Sequence, residues 1–341
     1  MEQGKRGRIT YFDWLRGVAT YMVIVLHMCN MMLSTHTVAQ LGVPLVLAWS
    51  ELQLVFTRWA VPAFLMITGA LLLDPRRKID FVKIARYAGR MLCVLLLFCP
   101  VYACVSARSI SLQAIVQGWV DALTQGSWDH LWYVYALIGL YLLTPLLALY
   151  VRSATREQEC AVLVMLAVTT LVVPTVNYVL HTNIATFVWV TYPLFYYLLG
   201  SYAHRYLRLD TRVTVLGLGA LVACALAIVL FTCVGEQYPR WLIRPQSPLL
   251  ALWALYVFVA ARAIVDGRDV PKPLSFASEH SLVIYLLHPI AFVFLYRRLW
   301  WFPYETLPPV LFELVVLAIV YGVTLPMAAA LKRVPVLRRI L

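Results

Sequence analysis

Charge is what this sequence has least of: charged residues are 13% of its 341 residues, against 62% hydrophobic, and mean hydropathy is +0.80. A soluble globule carries about twice that share of charge, so an ordinary soluble fold is excluded. Cys29, Cys93, Cys99, Cys104, Cys160, Cys224 and Cys233 form no Cys-x-x-Cys pair and lie mostly in apolar runs, where cysteine behaves as a small hydrophobe. Neither a glycine-rich nucleotide loop nor a Gly-x-Ser-x-Gly elbow occurs, which removes the common phosphate-cradling and serine-hydrolase designs. The histidines other than His27 are scattered and lack a carboxylate at ligand spacing, so no metal site is expected. Low-complexity tracts and internal repeats are also missing, and the chain reads as a single transmembrane domain over residues 1–341.

What is there in abundance is apolar runs of membrane-crossing length, each needing about 20 residues to cross roughly 30 Å of hydrocarbon. Ten are expected, near residues 10–33, 45–73, 83–105, 130–150, 160–180, 184–204, 213–234, 247–266, 281–300 and 308–331. The expected fold class is therefore all-α, a polytopic integral membrane bundle of about ten helices. The first run is longer than a signal-peptide core and no clean cleavage site follows it, so it is expected to be retained. The connection 106–129 contains SLQAIVQGWVDALTQG, whose near-helical apolar spacing suits a helix lying along the membrane surface.

The net charge of +12 is distributed by topology. Of the 28 Lys and Arg residues, 21 fall before the first run or in alternate connections, from Lys5, Arg6 and Arg8 to Lys332, Arg333, Arg338 and Arg339. The opposite connections hold Arg108, Arg240, Arg244, Arg297 and Arg298. By the positive-inside rule both termini are expected on the cytoplasmic side. The basic excess is thus a signal for topology and membrane lipid, with no nucleic-acid partner.

Against that apolar background a few polar residues stand out. In YFDWLRGVATYMVIVLHM, Arg16 and His27 are eleven residues apart, which on a helix is about three turns plus 20° and about 16 Å of rise. Both fall on one face, and Asp13 can pair with Arg16 from the preceding turn. Taken singly, Arg16 reads as a snorkelling interfacial residue and His27 as a packing group; together they form a polar track along one helix. In the second run, TRWAVPAFLMITGALLL sets Arg58 roughly 22 Å above the cytoplasmic end, near the level of His27. Pro62 and Gly69 can bend this helix or admit another backbone, and Glu51 is a possible ion-pair partner two turns before Arg58.

The third run opens DFVKIARYAGRML, placing Lys83, Arg86 and Arg90 on one face. They serve either as positive-inside anchors or as an anion site, since arginine forks bind phosphate bidentately. The fourth opens SWDHLWYVYALIGLYLLTPLL, with Trp128, His130, Trp132, Tyr133, Tyr141 and Pro145. An interfacial aromatic belt accounts for much of it, and sugar stacking on such rings, or on Trp189, Trp241, Trp300, Trp301 and Tyr304, is the other reading. The ninth begins ASEHSLVIYLLHPI, where Ser281, Tyr285 and His288 share a helix face and Glu279 and His280 precede the span.

These stretches, in this order over residues 11–290, resemble the acyltransferase-3 family of membrane-bound acyltransferases. Arg16-x10-His27 with Asp13 upstream resembles the family's first-helix signature. The stretch from Arg58 resembles its Arg-x-x-(V)-P-x-F-F-x-x-S-G motif, with Leu65 and Thr68 as departures. Lys83-x-x-Arg86 matches a basic pair, His130-Leu131-Trp132-Tyr133 an aromatic entry, and Ser281 to His288 the S-x-x-I-Y-L-x-H-P stretch. The resemblance is to stand-alone members that O-acetylate envelope polysaccharides in the bacterial cytoplasmic membrane.

The resemblance implies transfer of an acyl group, usually acetyl, from cytoplasmic acetyl-CoA to a hydroxyl of an envelope glycan or lipid-linked sugar on the outer side. Lys83, Arg86 and Arg90 would hold the nucleotide end of the donor, whose arm would rise past Arg16, itself oriented by Asp13. His27 would act either as general base or as transient acyl carrier, and Arg58 would stabilise the oxyanion or bind the acceptor. Trp132, Ser281, Tyr285 and His288 would meet the acceptor. The alternative is a transporter of a small solute or polysaccharide, for which Glu51 and Glu313 are the candidate intramembrane acids. A structural scaffold explains neither Arg58 nor the Arg16/His27 track.

Overall fold

The computed structural model describes residues 9–35, 52–124, 126, 128–182, 184, 192–233, 240–298 and 309–341. Among these no residue is in a strand. The helices are α1 Thr10–Thr35, α2 Leu52–Leu72, α3 Phe81–Ala107, α4 Leu112–Thr124, α5 Trp132–Ser153 and α6 Arg156–Leu180. They continue with α7 Tyr192–Tyr206, α8 Thr211–Cys233, α9 Pro248–Val265, α10 Lys272–Arg298, α11 Pro309–Arg333 and the short α12 Pro335–Ile340.

Each apolar run of the sequence holds a helix. Among the described residues seven are long and apolar enough to cross a membrane: α2, α3, α5, α6, α9 counted from Trp241, α10 to Leu295 and α11 from Glu313. This is a multi-pass membrane protein. At 26 residues, about 39 Å, α1 also has the length to cross, and Asp13, Arg16, His27 and Asn30 interrupt its apolar stretch. α10 begins earlier than expected, at Lys272, so Glu279 and His280 lie inside the helix. Its polar first turns continue with Pro273 near the start and Ser275 donating to Glu279 at 3.3 Å.

The chain folds into two compact units. Unit one comprises Met1–Leu71, Thr155–Ser281 and Leu299–Ile319, and so α1, α2, α6 to α9 and the first parts of α10 and α11. Two close approaches organise it. A Cβ on Gly69 of α2 would lie 1.8 Å from the Tyr197 carbonyl oxygen, and one on Gly200 of α7 would lie 2.1 Å from that of Met66. Gly69 therefore admits another backbone, as expected, in the manner of small-residue helix crossings in membranes. α6 begins in a capping box of Thr155 and Gln158, contains a π turn at Val168–Val172, and is tied to α7 by a forked ion pair from Arg205 to buried Glu159.

Unit two comprises Leu72–Ala154, Leu282–Arg298 and Val320–Leu341. Here α3 packs against α4, α5 and α12. Pro100 within α3 has no N–H for the Leu96 carbonyl, and the indole N–H of Trp119 on α4 supplies the missing donor at 2.9 Å. The surface-helix segment expected from residues 106–129 is thus a real helix, α4, docked on α3 with Leu112, Val116, Val120 and Leu123 exposed.

Candidate active site

In unit one the start of α1 is fixed by the loop after α9. Thr10 Oγ1 accepts the Gly267 N–H at 2.7 Å, and the Tyr11 hydroxyl meets His204 Nδ1 at 2.6 Å. One turn on, Asp13 is buried. Its Oδ1 accepts the Ser278 hydroxyl of α10 at 2.9 Å and lies 3.8 Å from Arg16 Nη1. A buried carboxylate needs both a partner charge and a hydrogen bond, and this one has both. The Asp13–Arg16 pairing expected from the sequence is present, and Ser278 is a partner that sequence reading missed. Next along, a Cβ on Gly17 would sit 2.5 Å from the Leu274 carbonyl, so α1 and α10 touch backbone to backbone. Thr20 spans the same contact, donating to Arg16 O at 2.7 Å with Ala277 O at 3.5 Å. At this end of the track Asp13 is enclosed by the contact with α10.

At the other end, His27 lies one turn before Asn30 on α1, and Asn30 is met by Arg58 of α2. Proline explains why α2 presents Arg58 as it does. Pro62 lacks the N–H that would bond the Arg58 carbonyl, and its ring crowds that carbonyl. The helix accordingly opens into a turn at Arg58 and Trp59 and resumes at Ala60, with Ala63 N–H bonding Trp59 O at 2.9 Å. The Arg58 guanidinium donates from Nη2 to Asn30 Oδ1 at 3.2 Å. Asn30, three residues after His27 on α1, was not foreseen; an amide one turn from a histidine in an apolar helix was the available signal. A further link runs beside it. Cys29 Sγ donates to Gln53 Oε1 at 3.6 Å, and Gln53 Nε2 donates to the buried Glu313 carboxylate at 2.6 Å.

His27, Asn30 and Arg58 thus place an imidazole, an amide and a guanidinium from two helices in one polar cluster. A histidine one turn from the anchor of a fixed cation suits proton transfer coupled to stabilisation of a developing oxyanion. Arg16 lies about three turns away on the same helix and Asp13 about four.

In unit two, Asp80 caps α3, accepting the Lys83 N–H at 2.9 Å. Lys83 and Arg86 are exposed on its first turns, and among the described residues no carboxylate pairs with either. Arg90, one turn deeper, is engaged instead by α12, its Nε donating to Ile340 O at 3.4 Å.

Also in unit two, the residues after Trp128 and the second part of α10 form one buried cluster. Tyr102 gives its single proton to Leu286 O at 2.5 Å and so accepts from His130 Nε2 at 2.9 Å, which fixes that imidazole as the Nε2–H tautomer. Tyr285 donates to the His130 carbonyl, and His288 Nδ1 donates to Ile284 O at 3.2 Å. His288 is 0% exposed, so in this structure it has no accessible surface to offer an acceptor directly. Trp132, 37% exposed and edge-on to Tyr133, does have an open ring. Ser281 is half-buried where α10 still belongs to unit one. Glu51, Trp189, Trp300, Trp301 and Tyr304 lie outside the described residues, as do the side chains of Arg297 and Arg298. Among the described residues no group of His, Cys, Asp and Glu has the arrangement to hold a metal ion.

A family model described as an acyltransferase domain matches residues 9–329. No curated protein and no solved structure matches the chain.

Proposed function

The chain belongs to the acyltransferase-3 family, and from that premise we propose that it transfers an acetyl group from acetyl-CoA to a hydroxyl of an envelope glycan or lipid-linked sugar. The observation that carries this reading is the Arg58–Asn30 bond one turn beyond His27, which gathers a guanidinium, an amide and an imidazole inside unit one. In this proposal His27 takes the proton of the acceptor hydroxyl as its oxygen attacks the thioester carbonyl. Arg58 stabilises the oxyanion, the C–S bond breaks, and the coenzyme thiolate leaves and regains a proton. A transient acyl-histidine is the variant in which the ring nitrogen attacks first. Arg16, oriented by Asp13, steadies the donor arm. We assign the donor's phosphates to Lys83 and Arg86, whose exposure and lack of carboxylate partners among the described residues suit that task. Arg90 supports the same segment through α12. Of the acceptor residues, Trp132 offers a stacking face, while Tyr285 and His288 shape the wall behind it; Ser281 borders the polar face of α10. In this reading the protein works in the bacterial cytoplasmic membrane with both termini on the cytoplasmic side.

The test is turnover of labelled acetyl-CoA by purified protein with candidate glycans, comparing wild type with His27→Ala. Transfer or CoA release that disappears in the variant supports the proposal. Solute flux in liposomes with no acyl transfer favours the transporter reading, for which buried Glu313 would be the candidate acid.

A further inference from the structure

Unit two contains a cleft of about 520 Å³ between the last turns of α3 and the docked α4. Its walls are apolar, formed by Leu97, Pro100, Val101, Ile115 and Trp119, and it ends at Arg108 and Ser109. From Leu96 to Arg108 it follows α3 for about 18 Å, close to the depth of one bilayer leaflet. Its volume falls within the range of small-molecule sites, about 300–1,000 Å³. The walls are held in place beforehand, by the Trp119-to-Leu96 hydrogen bond and by Gly118 of α4, where a Cβ would lie 2.7 Å from Pro100 Cα.

The end of the cleft is where the sequence breaks a backbone rule. α3 terminates with Ser109 N–H bonded to Cys104 O and Arg108 N–H to Val105 O, leaving Arg108 in the left-handed region at φ 55°. This is the position helices give to glycine, and a residue with a Cβ costs about 1 kcal/mol or more there. The chain nevertheless places an arginine on it, exposed, with no carboxylate partner among the described residues. A long apolar trough ending in an uncompensated guanidinium is complementary to an amphiphile with an anionic head.

We infer that the α3–α4 cleft is a binding site for one anionic phospholipid, its acyl chain against Leu97, Val101, Ile115 and Trp119 and its phosphate on Arg108. The planar guanidinium takes two phosphate oxygens, with the Ser109 hydroxyl alongside. A zwitterionic headgroup returns a positive charge next to Arg108 and binds less well. The site does not depend on the reaction proposed above.

Native mass spectrometry of the full-length protein, released from detergent carrying phosphatidylglycerol or phosphatidylcholine, tests the site. Arg108→Gly is the informative variant, because glycine suits the left-handed backbone and leaves the fold intact. The wild type should retain one phosphatidylglycerol about 5- to 10-fold more tightly than Arg108→Gly does, the size expected for one charge-assisted contact. Filling the trough with Val101→Trp should abolish that retention. Equal retention of the two lipids by the wild type, or of phosphatidylglycerol by wild type and Arg108→Gly, overturns the site. Preferential retention of a polyprenyl phosphate overturns the choice of occupant.

Discussion

Arg58 on α2 donates from Nη2 to the side-chain oxygen of Asn30 on α1, 3.2 Å away and one turn beyond His27. This bond fixes a cation at the turn that Pro62 opens in α2, one helical turn along α1 from His27. Asn30 is therefore a positioning residue. A hydrogen bond to a charged group is worth about 1.5–3 kcal/mol, so Asn30→Ala should lower kcat about 10- to 100-fold with little change in the KM for acetyl-CoA. Asn30→Asp keeps the acceptor atom but neutralises Arg58, and should also lower kcat in a protein that remains monodisperse. A parallel rise in donor KM would show instead that the contact serves general packing.

The donor site should respond in the opposite sense. Lys83 and Arg86 are exposed on the first turns of α3, and Arg90 is already engaged with Ile340. Lys83→Ala combined with Arg86→Ala should raise the KM for acetyl-CoA about tenfold or more while kcat changes little, the pattern of an interaction equally strong in ground and transition states. Arg90→Ala should act mainly on stability by freeing α12, seen as a lower unfolding temperature at unchanged donor KM. Unchanged CoA affinity in the double variant would remove the donor-site assignment.

Much of this was legible in the sequence because membrane helices obey a single strong rule: every backbone polar group is satisfied within the segment, so apolar runs of sufficient length are helices. The Arg16/His27 face followed from helical periodicity alone, and Asp13 from its spacing to Arg16. Partners such as Ser278, Asn30 and Gln53 were not legible, because no local period reports which side chains two distant helices bring together. Gly69 was legible as a place where another backbone could come close, but its partner Tyr197 was not. His288 illustrates the limit differently. Its spacing to Ser281 and Tyr285 suggested a polar face, whereas the structure encloses it completely behind Tyr285 and His130.

The crossing of α2 and α7 makes a sharp folding prediction. Any side chain on Gly69 or Gly200 would collide with backbone, which cannot turn aside as a side-chain tip can. Gly69→Val and Gly200→Val should each fail to give monodisperse protein on size exclusion. Gly139, where a Cβ would meet nothing within 4 Å, serves as control, and Gly139→Ala should behave as wild type. Overpacking of a tight contact commonly costs about 1–3 kcal/mol and more when the backbone cannot move.

The Tyr102–His130 contact makes the last prediction, one that separates structural from chemical histidines. Tyr102 is fully buried and joins three segments: its own α3, the Leu286 carbonyl of α10 and the His130 ring before α5. Pro289 in α10 cannot donate to the Tyr285 carbonyl, and in that loosened turn Leu286 O takes the Tyr102 proton. Tyr102→Phe removes the hydroxyl and leaves a buried N–H and a buried carbonyl short of a partner, at a cost of about 1–3 kcal/mol. Thermal unfolding should shift down accordingly, while kcat per folded molecule stays within about twofold, since this cost falls on folding and not on the transition state. His130→Gln, whose amide can still donate to the Tyr102 oxygen, should recover part of the stability that His130→Ala loses. If Tyr102→Phe instead keeps its unfolding temperature and loses turnover, the His130 cluster belongs to the reaction and its description as a structural tie is wrong.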